Sequence, residues 1–487
     1  MTVRLLWRTL ALASSVLLTT PSAHAQTPAP ASAPASALES APAPAPESAL
    51  ESAPALESAP APAPASAPES APVPPLSPPE SAQLPYSIPR QTLIPGTPAM
   101  PGGFHFMVNA FAEAQNVGLG AYRITNPGVP SLSGGATYPL LVDDWAMGYG
   151  RDARGYIEGL LMLDFEPLTV HSQGVPELGQ AGEGLWDAQH AHQLVHQAMV
   201  AVHPLAGLEG WGARDMVEPR DDLSLFFGQG SATIGPPIFM HRASNPGPTV
   251  PRKHHKGENP HETFPVIGAA LRIDSTVFEA SAFNGKELTP EDSRLYPHVG
   301  PPDSFGGRVR HVVRLSPEGG LEGQVSAERL HDQGSGEPDA TQVSASLYYW
   351  VPAHGWRLDA LADWAIDIPD GRATAQGALG ELAARTPDRR TTLWTRTEFN
   401  QREEPVTRNY VVSSPWVFET VGAERVLVGG ERSGLQMGFF GEATLAYIPP
   451  SLQPMYGTDV AVTVNVGLHL FGMWMLDGAM RPMHHAM

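Results

Sequence analysis

A long alternation of apolar and polar residues is the sequence feature that most constrains this fold. In the stretch "TDVAVTVNVGLHLF", the even positions from Val460 to Leu470 are all large and apolar, whereas the odd positions include Asp459, Thr463, Asn465 and His469. Because successive side chains of a β-strand point to opposite faces, this pattern predicts a strand with one apolar face and one polar face. The alternation exceeds the average soluble strand of about 5 or 6 residues and reaches the roughly 9 to 11 that a tilted strand needs to cross a bilayer.

Three further segments alternate in the same way and carry charged or polar residues on one face. These residues are Arg308, Arg310 and Arg314 in "GGRVRHVVRLS", Glu322, Gln324, Ser326 and Glu328 in "LEGQVSAERL", and Arg357, Asp359, Asp363 and Asp367 in "WRLDALADWAID". We expect these faces to line a water-filled lumen, because the opposite faces are apolar.

About sixteen such segments follow one another, starting near residues 104, 141, 154, 193, 222, 263, 276, 306, 321, 341, 355, 373, 391, 415, 433 and 458. Long links such as "NPGPTVPRKHHKGENPH" alternate with short ones such as Asp274-Ser275 almost to the end, as in outer-membrane barrels. We therefore predict an all-β fold, an antiparallel transmembrane β-barrel of about 16 strands (range 14–18). The link from Pro204 to Asp221 is too long for this pattern. A strand next to this link is therefore the one most open to misplacement. The alternative is a periplasmic all-β protein with irregular loops.

The first 25 residues have the features of an export signal. Arg4 and Arg8 precede an apolar stretch from Leu10 to Leu18, and Ala23-His24-Ala25 is a small-residue cleavage site. We assign residues 1–25 as a signal peptide and predict that the protein resides in the outer membrane of a Gram-negative cell. The chain has no cysteine, and removing the two arginines changes its net charge from −20 to −22. This acidity argues against nucleic acid as a partner.

The rest of the chain divides by composition into three parts. Residues 26–100 are rich in Pro, Ala, Ser and Glu and have too few large apolar side chains for a core, so we predict a disordered periplasmic linker. The linker either tethers the barrel to a periplasmic partner or has no function and arose by low-complexity drift. Residues 101–472 are assigned to the barrel and residues 473–487 to a Met/His-rich C-terminal tail. The alternative for the tail is that Met473 and Met475 continue the last strand.

Several stretches resemble an uncharacterised family of exported bacterial proteins that look like outer-membrane β-barrels. The resemblance covers roughly Phe104 to Phe471. It is carried by "MLDFEPLTV", "DAQHAHQLV", "GPPIFMHRASNPGP", "HHKGENPHETFPVIGA", "EASAFNGKE" and "LAYIPPSLQPMYG", of which "GPPIFMHR" is the most specific. It implies a barrel fold and an outer-membrane location, and no activity. The family pattern is closer to Asp-x-Gln-His-Pro-His-Asp in the second stretch, so Ala191 and Gln193 depart from it and remove one carboxylate that could bind a metal.

Two groups of residues are candidate metal ligands. At the outer mouth of the barrel they are Asp187, His190, His192, His241, His254, His255 and His261; in the tail they are Met480, Met483, His484 and His485. Imidazole and carboxylate ligands suit Zn or Cu, and thioether sulfur favours Cu(I). Affinity at the mouth should fall below about pH 6.5, because only unprotonated imidazole binds metal. The alternative is that the imidazoles hydrogen-bond carbonyls and carboxylates and hold long loops over the pore.

The stretch "WDAQHAHQLVHQAMVAVHP", from Trp186 to Pro204, contains four histidines. We predict a loop up to about His192 and a strand after it, because Pro204 ends the segment and a helix would have nothing to pack against in a barrel wall. His190 and His192 would then approach the loop that carries the other mouth histidines.

The sequence favours a channel for small polar solutes or metal ions, with a histidine-rich outer mouth and no required cofactor. The surplus of acidic residues favours cations. The expected partners are outer-membrane lipid, the solute or metal ion, and a periplasmic protein that binds the Pro-rich linker. The alternatives are an outer-membrane enzyme and a closed structural scaffold. The enzyme is disfavoured because the chain has no Gly-x-Ser-x-Gly elbow, phosphate loop or dinucleotide fingerprint, and we assign no catalytic residue.

Overall fold

A computed structural model describes fifteen segments of the chain. They are residues 103–115, 123–124, 132–133, 137–152, 155–165, 193–208, 221–230, 263–286, 299–316, 319–331, 338–407, 410–429, 435–453, 458–475 and 481–482. The predicted signal peptide (1–25) and linker (26–100) fall outside these segments. Within them, no helix is both long and apolar enough to span a membrane.

The described chain is built from β-strands. They are β1 (Gly103–Gln115), β2 (Arg123–Ile124), β3 (Leu132–Ser133), β4 (Thr137–Arg151), β5 (Ile157–Asp164), β6 (Val195–Val202), β7 (Asp222–Gly230), β8 (Thr263–Ile273), β9 (Thr276–Phe283), β10 (Ser304–Ser316), β11 (Gly319–Leu330), β12 (Ala340–Ala353), β13 (Trp356–Pro369), β14 (Ala375–Arg385), β15 (Thr391–Thr407), β16 (Tyr410–Gly429), β17 (Leu435–Tyr447), β18 (Val460–Met475) and β19 (Arg481–Pro482).

Sixteen of these strands, β1 and β4 to β18, form one closed antiparallel barrel. β1 pairs with β4, each strand from β4 to β17 pairs with the next, and β18 returns to pair with β1. Each of the sixteen therefore has a partner on both sides. β2 pairs only with β3, and β19 pairs with the last two residues of β18. The predicted fold class and the predicted number of strands are confirmed.

The barrel is apolar on the outside and polar on the inside. In β13, Leu358, Trp364 and Ile368 are exposed on the outer face, while Asp363 and Ala365 are buried on the inner face. Exposed large apolar side chains recur on the other strands whose side chains are described: Ile157, Leu161, Val200, Leu225, Phe227, Ile267, Phe278, Val309, Val325, Leu347, Leu393, Val421, Phe439, Leu445, Val466 and Leu468. This arrangement is the reverse of a soluble protein and is that of a transmembrane barrel.

The strand positions agree closely with the alternation. The largest difference is in the fourteenth barrel strand, which was expected near residue 415 and begins at Tyr410. β6 and β7 flank the long link 203–221 where they were expected, so neither strand was misplaced.

Two details differ from the main sequence predictions, and the first agrees with the alternative given for the tail. The last strand continues to Met475, beyond the expected barrel end at residue 472, so Met473 and Met475 belong to β18. Long and short links also stop alternating earlier than expected, because links 370–374 and 408–409 are as short as those at the opposite end of the barrel.

The apolar exterior predicts a depth-dependent cost for outward-facing charge. Val325 faces outward near the middle of β11, and Leu315 faces outward near the end of β10. Val325→Arg should lower the free energy of unfolding by about 2–4 kcal/mol, whereas Leu315→Arg should cost about 0–1 kcal/mol, because charge is penalised most at the bilayer midplane. Urea unfolding of the barrel in lipid vesicles measures both values. Equal costs for the two variants would contradict a membrane-spanning exterior.

Candidate functional site in the barrel lumen

The inner faces of β9, β10 and β11 carry a buried group of four charged residues. Glu279 accepts hydrogen bonds from Arg308 Nε at 2.7 Å, from Arg308 Nη2 at 3.0 Å and from Arg310 Nε at 3.0 Å. Glu322 Oε1 lies 4.0 Å from Arg310 Nη1. Each of the four residues is at most 5% exposed. We call these residues the Glu279 cluster; its two arginines and two glutamates balance in charge.

This cluster corrects one expectation from the sequence. Arg308 and Arg310 were expected against lumen water, but both are buried and bind a carboxylate. Arg314, from the same predicted face, is exposed near the end of β10. Sequence reasoning missed Glu279, which lies directly opposite Arg308 on the neighbouring strand. The available signal was the stretch "EASAFNGKE", in which Glu279 and Ser281 alternate with alanine.

Other inner-wall arginines are also paired. Arg396 donates to Glu381 Oε2 from Nε at 2.8 Å and from Nη2 at 2.6 Å. Arg357 Nη2 lies 2.9 Å from Asp359 Oδ1, which also accepts a hydrogen bond of 2.5 Å from Tyr348. Because these pairs place opposite charges side by side, their fields largely cancel inside the barrel.

Large aromatic side chains lie flat along the inner wall. Trp350 is directly opposite Gly320, and a Cβ atom at Gly320 would overlap the indole ring. Trp394 has the same relation to Gly422 across β15 and β16. The missing side chain of each glycine leaves the room that the ring occupies, so the ring stays close to the wall.

Several inner-wall residues retain almost no accessible surface. Arg308, Glu381 and Trp416 are between 0% and 2% exposed, although they lie on different strands. A side chain that lines a wide, water-filled pore keeps accessible surface on its lumen side. These three side chains are therefore shielded from water in the lumen.

The predicted metal ligands are not among the residues that the structure describes. This holds for the mouth residues Asp187, His190, His192, His241, His254, His255 and His261 and for the tail residues Met480, Met483, His484 and His485, so both metal sites stay predictions. In the described segments, no group of three or more His, Cys, Asp or Glu side chains is arranged to hold a metal ion. The strand expected in the Trp186–Pro204 stretch is confirmed as β6.

The remaining histidine of interest, His203, follows the last residue of β6 and is fully buried. Its Nδ1 lies 2.8 Å from Asp222 Oδ2, and its Nε2 lies 3.6 Å from Glu158 Oε1. Burial lowers the pKa of His203, but the two carboxylates raise it by more, so the pKa lies above the ordinary value of 6.5. This contact joins the ends of β5, β6 and β7. Sequence reasoning missed it, because the partners of His203 are set by strand pairing.

No family model matches the chain, and no curated protein does. Among solved structures it is similar to OprB of Pseudomonas putida at high pH (TM-score 0.46, 10% identity, covering 76% of this chain and 94% of that one). It is also similar to a loop L8 deletion mutant of OmpT, an outer membrane protein of Vibrio cholerae (TM-score 0.40, 9% identity, 76% and 98% covered), and to an anion-selective porin from Comamonas acidovorans (TM-score 0.39, 10% identity, 76% and 98% covered). These distant similarities transfer no solute or selectivity, and the barrel architecture rests on the strand pairing described above. The finer resemblance to an uncharacterised exported family stays a prediction.

The burial of the Glu279 cluster predicts a large effect of removing its central charge. Glu279→Gln leaves two buried arginines without their carboxylate and should lower the free energy of unfolding by about 3–5 kcal/mol. The control is Asp370→Asn, which breaks the exposed pair of Asp370 with Arg329 (2.5 Å) and should change stability little. Urea unfolding measures both, and a Glu279→Gln protein as stable as the control would contradict the role of the cluster.

The contacts of His203 predict a pH dependence. Because its pKa is raised in the folded state, the stabilisation is fully present below the ordinary value of 6.5 and is lost as pH rises through the raised value. The stability difference between wild type and His203→Asn should therefore shrink as pH rises above 6.5. His311→Asn is the control, since His311 contacts the hydroxyl of Thr276. Urea unfolding of the wild type and both variants at a series of pH values measures the free energy of unfolding. If the difference between wild type and His203→Asn grows with pH, the neutral imidazole is the stabilised form.

Proposed function

We propose that the protein is an outer-membrane β-barrel that passes small polar solutes or ions through a narrow lumen. The observation that carries this proposal is the reversal of polarity: sixteen strands close into a ring whose outer face is apolar and whose inner face is charged. A barrel of this strand number is wide enough for an aqueous path unless its interior is filled. Charged inner faces stabilise polar solutes that could not cross lipid.

The buried Glu279 cluster supports a path narrower than that of an open barrel. Short, charge-assisted hydrogen bonds hold Glu279 on β9 to Arg308 and Arg310 on β10, so these residues do not move aside easily. Of the inner-wall carboxylates, Glu328 and Asp363 lie on β11 and β13, and this acidic side of the lumen favours cations over anions.

A closed structural scaffold is the second candidate. The near-complete burial of inner-wall residues such as Arg308, Glu381 and Trp416 supports it, because a filled lumen stabilises the barrel without conducting. The enzyme alternative receives less support. His203, the described histidine that contacts two carboxylates, is fully buried and does not reach a substrate.

The histidine-rich outer mouth, with Zn or Cu as ligand, and a periplasmic partner of the Pro-rich linker remain parts of this proposal. Both rest on the sequence alone. A metal at the mouth would lie at the opposite end of the barrel from His203, if the first strand rises from the periplasm.

Conductance in planar lipid bilayers tests the channel. We expect stepwise currents from the wild-type barrel and a larger unit conductance from the double variant Glu279→Ala with Arg308→Ala, because it removes one buried ion pair without changing net charge. The control removes the outward-facing hydrogen-bonded pair of Thr397 and Glu419, whose oxygens are 2.7 Å apart, and should leave conductance unchanged because it lies outside the lumen. Folded protein that gives no current at any voltage, in wild type and in the double variant alike, would refute the channel in favour of the scaffold.

A further inference from the structure

The carboxylate of Glu328, on the inner face of β11, has no charge partner. Glu328 is 3% exposed, and within the described segments neither Oε1 nor Oε2 has a hydrogen-bond partner. A buried carboxylate in this state is strongly unfavourable unless a proton or a cation neutralises it. Glu328 differs in this respect from Glu279 and Glu381, which both bind arginine.

Two further oxygen-bearing side chains lie beside Glu328. Gln342 on β12 is directly opposite Glu328, and Asp367 on β13 is directly opposite Gln342. The three residues thus occupy one row across three adjacent strands, and they share the inner face. The carboxylates of Asp367 and Glu328 are close enough to repel each other electrostatically. We call Glu328, Gln342 and Asp367 the acidic row.

The nearby arginines are bound elsewhere. Arg308, one step along the wall, donates to Glu279 with both Nε and Nη2. Arg329 follows Glu328 in sequence and therefore points to the opposite face, where it binds both carboxylate oxygens of Asp370 at 3.0 and 2.5 Å. These two arginines therefore do not offset the negative charge of Glu328.

We propose that the acidic row binds a hard divalent cation of the Ca²⁺ type. Its donors are two carboxylates and one amide oxygen, with neither nitrogen nor sulfur, and this donor set suits Ca²⁺ rather than Zn or Cu. Waters complete the coordination, so the expected dissociation constant is weak, about 10⁻⁴–10⁻³ M. Glu328 lies two residues before the end of β11, at the barrel end that carries the long links. A role of this site in permeation rests on the proposed channel, whereas cation binding does not.

Calcium binding to the folded full-length barrel in detergent tests the site. Glu328→Gln keeps the shape of the side chain and removes its charge, and it should fold because it removes a carboxylate without a partner. The matched control is Glu322→Gln, on the same strand and the same face but beside Arg310. By equilibrium dialysis with Ca²⁺, wild type and Glu322→Gln should bind alike, and Glu328→Gln should bind at least about tenfold more weakly.

A second measurement follows thermal unfolding with and without Ca²⁺. The midpoint should rise with Ca²⁺ in wild type and in Glu322→Gln but not in Glu328→Gln, because a ligand stabilises only the state that binds it. Wild type that takes up no Ca²⁺ near neutral pH, as expected if a proton neutralises Glu328, would overturn the site, and so would equal binding by Glu328→Gln. A barrel that conducts without binding Ca²⁺ at Glu328 refutes the site and leaves the channel. One that binds Ca²⁺ there without conducting supports the site and refutes the channel.

Discussion

The pairing of β1 with β18 is the interaction on which the rest of the structure depends. Within the hydrocarbon of a membrane, backbone N–H and C=O groups find no water, so each strand needs a hydrogen-bonded neighbour on both sides. β1 meets β18 from Gly103 opposite Met475 to Gln115 opposite Thr463, and its other edge meets β4. This closure requires an even number of antiparallel strands, and it allows the exterior to be apolar on every strand.

Closure also determines what the inside must contain. Since every strand turns alternate side chains inward, charged residues that cannot face lipid come together in the lumen, where they are shielded from bulk water. Arg308 with Glu279 and Arg396 with Glu381 resolve this by binding across neighbouring strands. The polar interior is therefore a stabilising network as well as a lining.

Features that depend on a single strand could be predicted from the sequence, whereas features that depend on the pairing of two strands could not. Alternation is local, so the strand number, the strand positions and the inward face of Asp363 could be predicted. Partners across the sheet are set by register, which no single segment encodes. The pairing of Arg308 with Glu279, the packing of Trp350 over Gly320 and the burial of His203 between two carboxylates were all missed for this reason. The histidine-rich mouth lies beyond the residues that the structure describes.

Pairing separates the inner-wall charges into two classes with different consequences. An arginine bound to a glutamate contributes a dipole whose field decays within a few ångströms, so such pairs affect stability and width more than ion preference. A buried carboxylate without a partner keeps its full field only while it is ionised and binds no cation, and the low dielectric around it then strengthens that field. In the channel proposed above, ion preference would then depend on an ionised Glu328 and its row rather than on the total number of acidic residues.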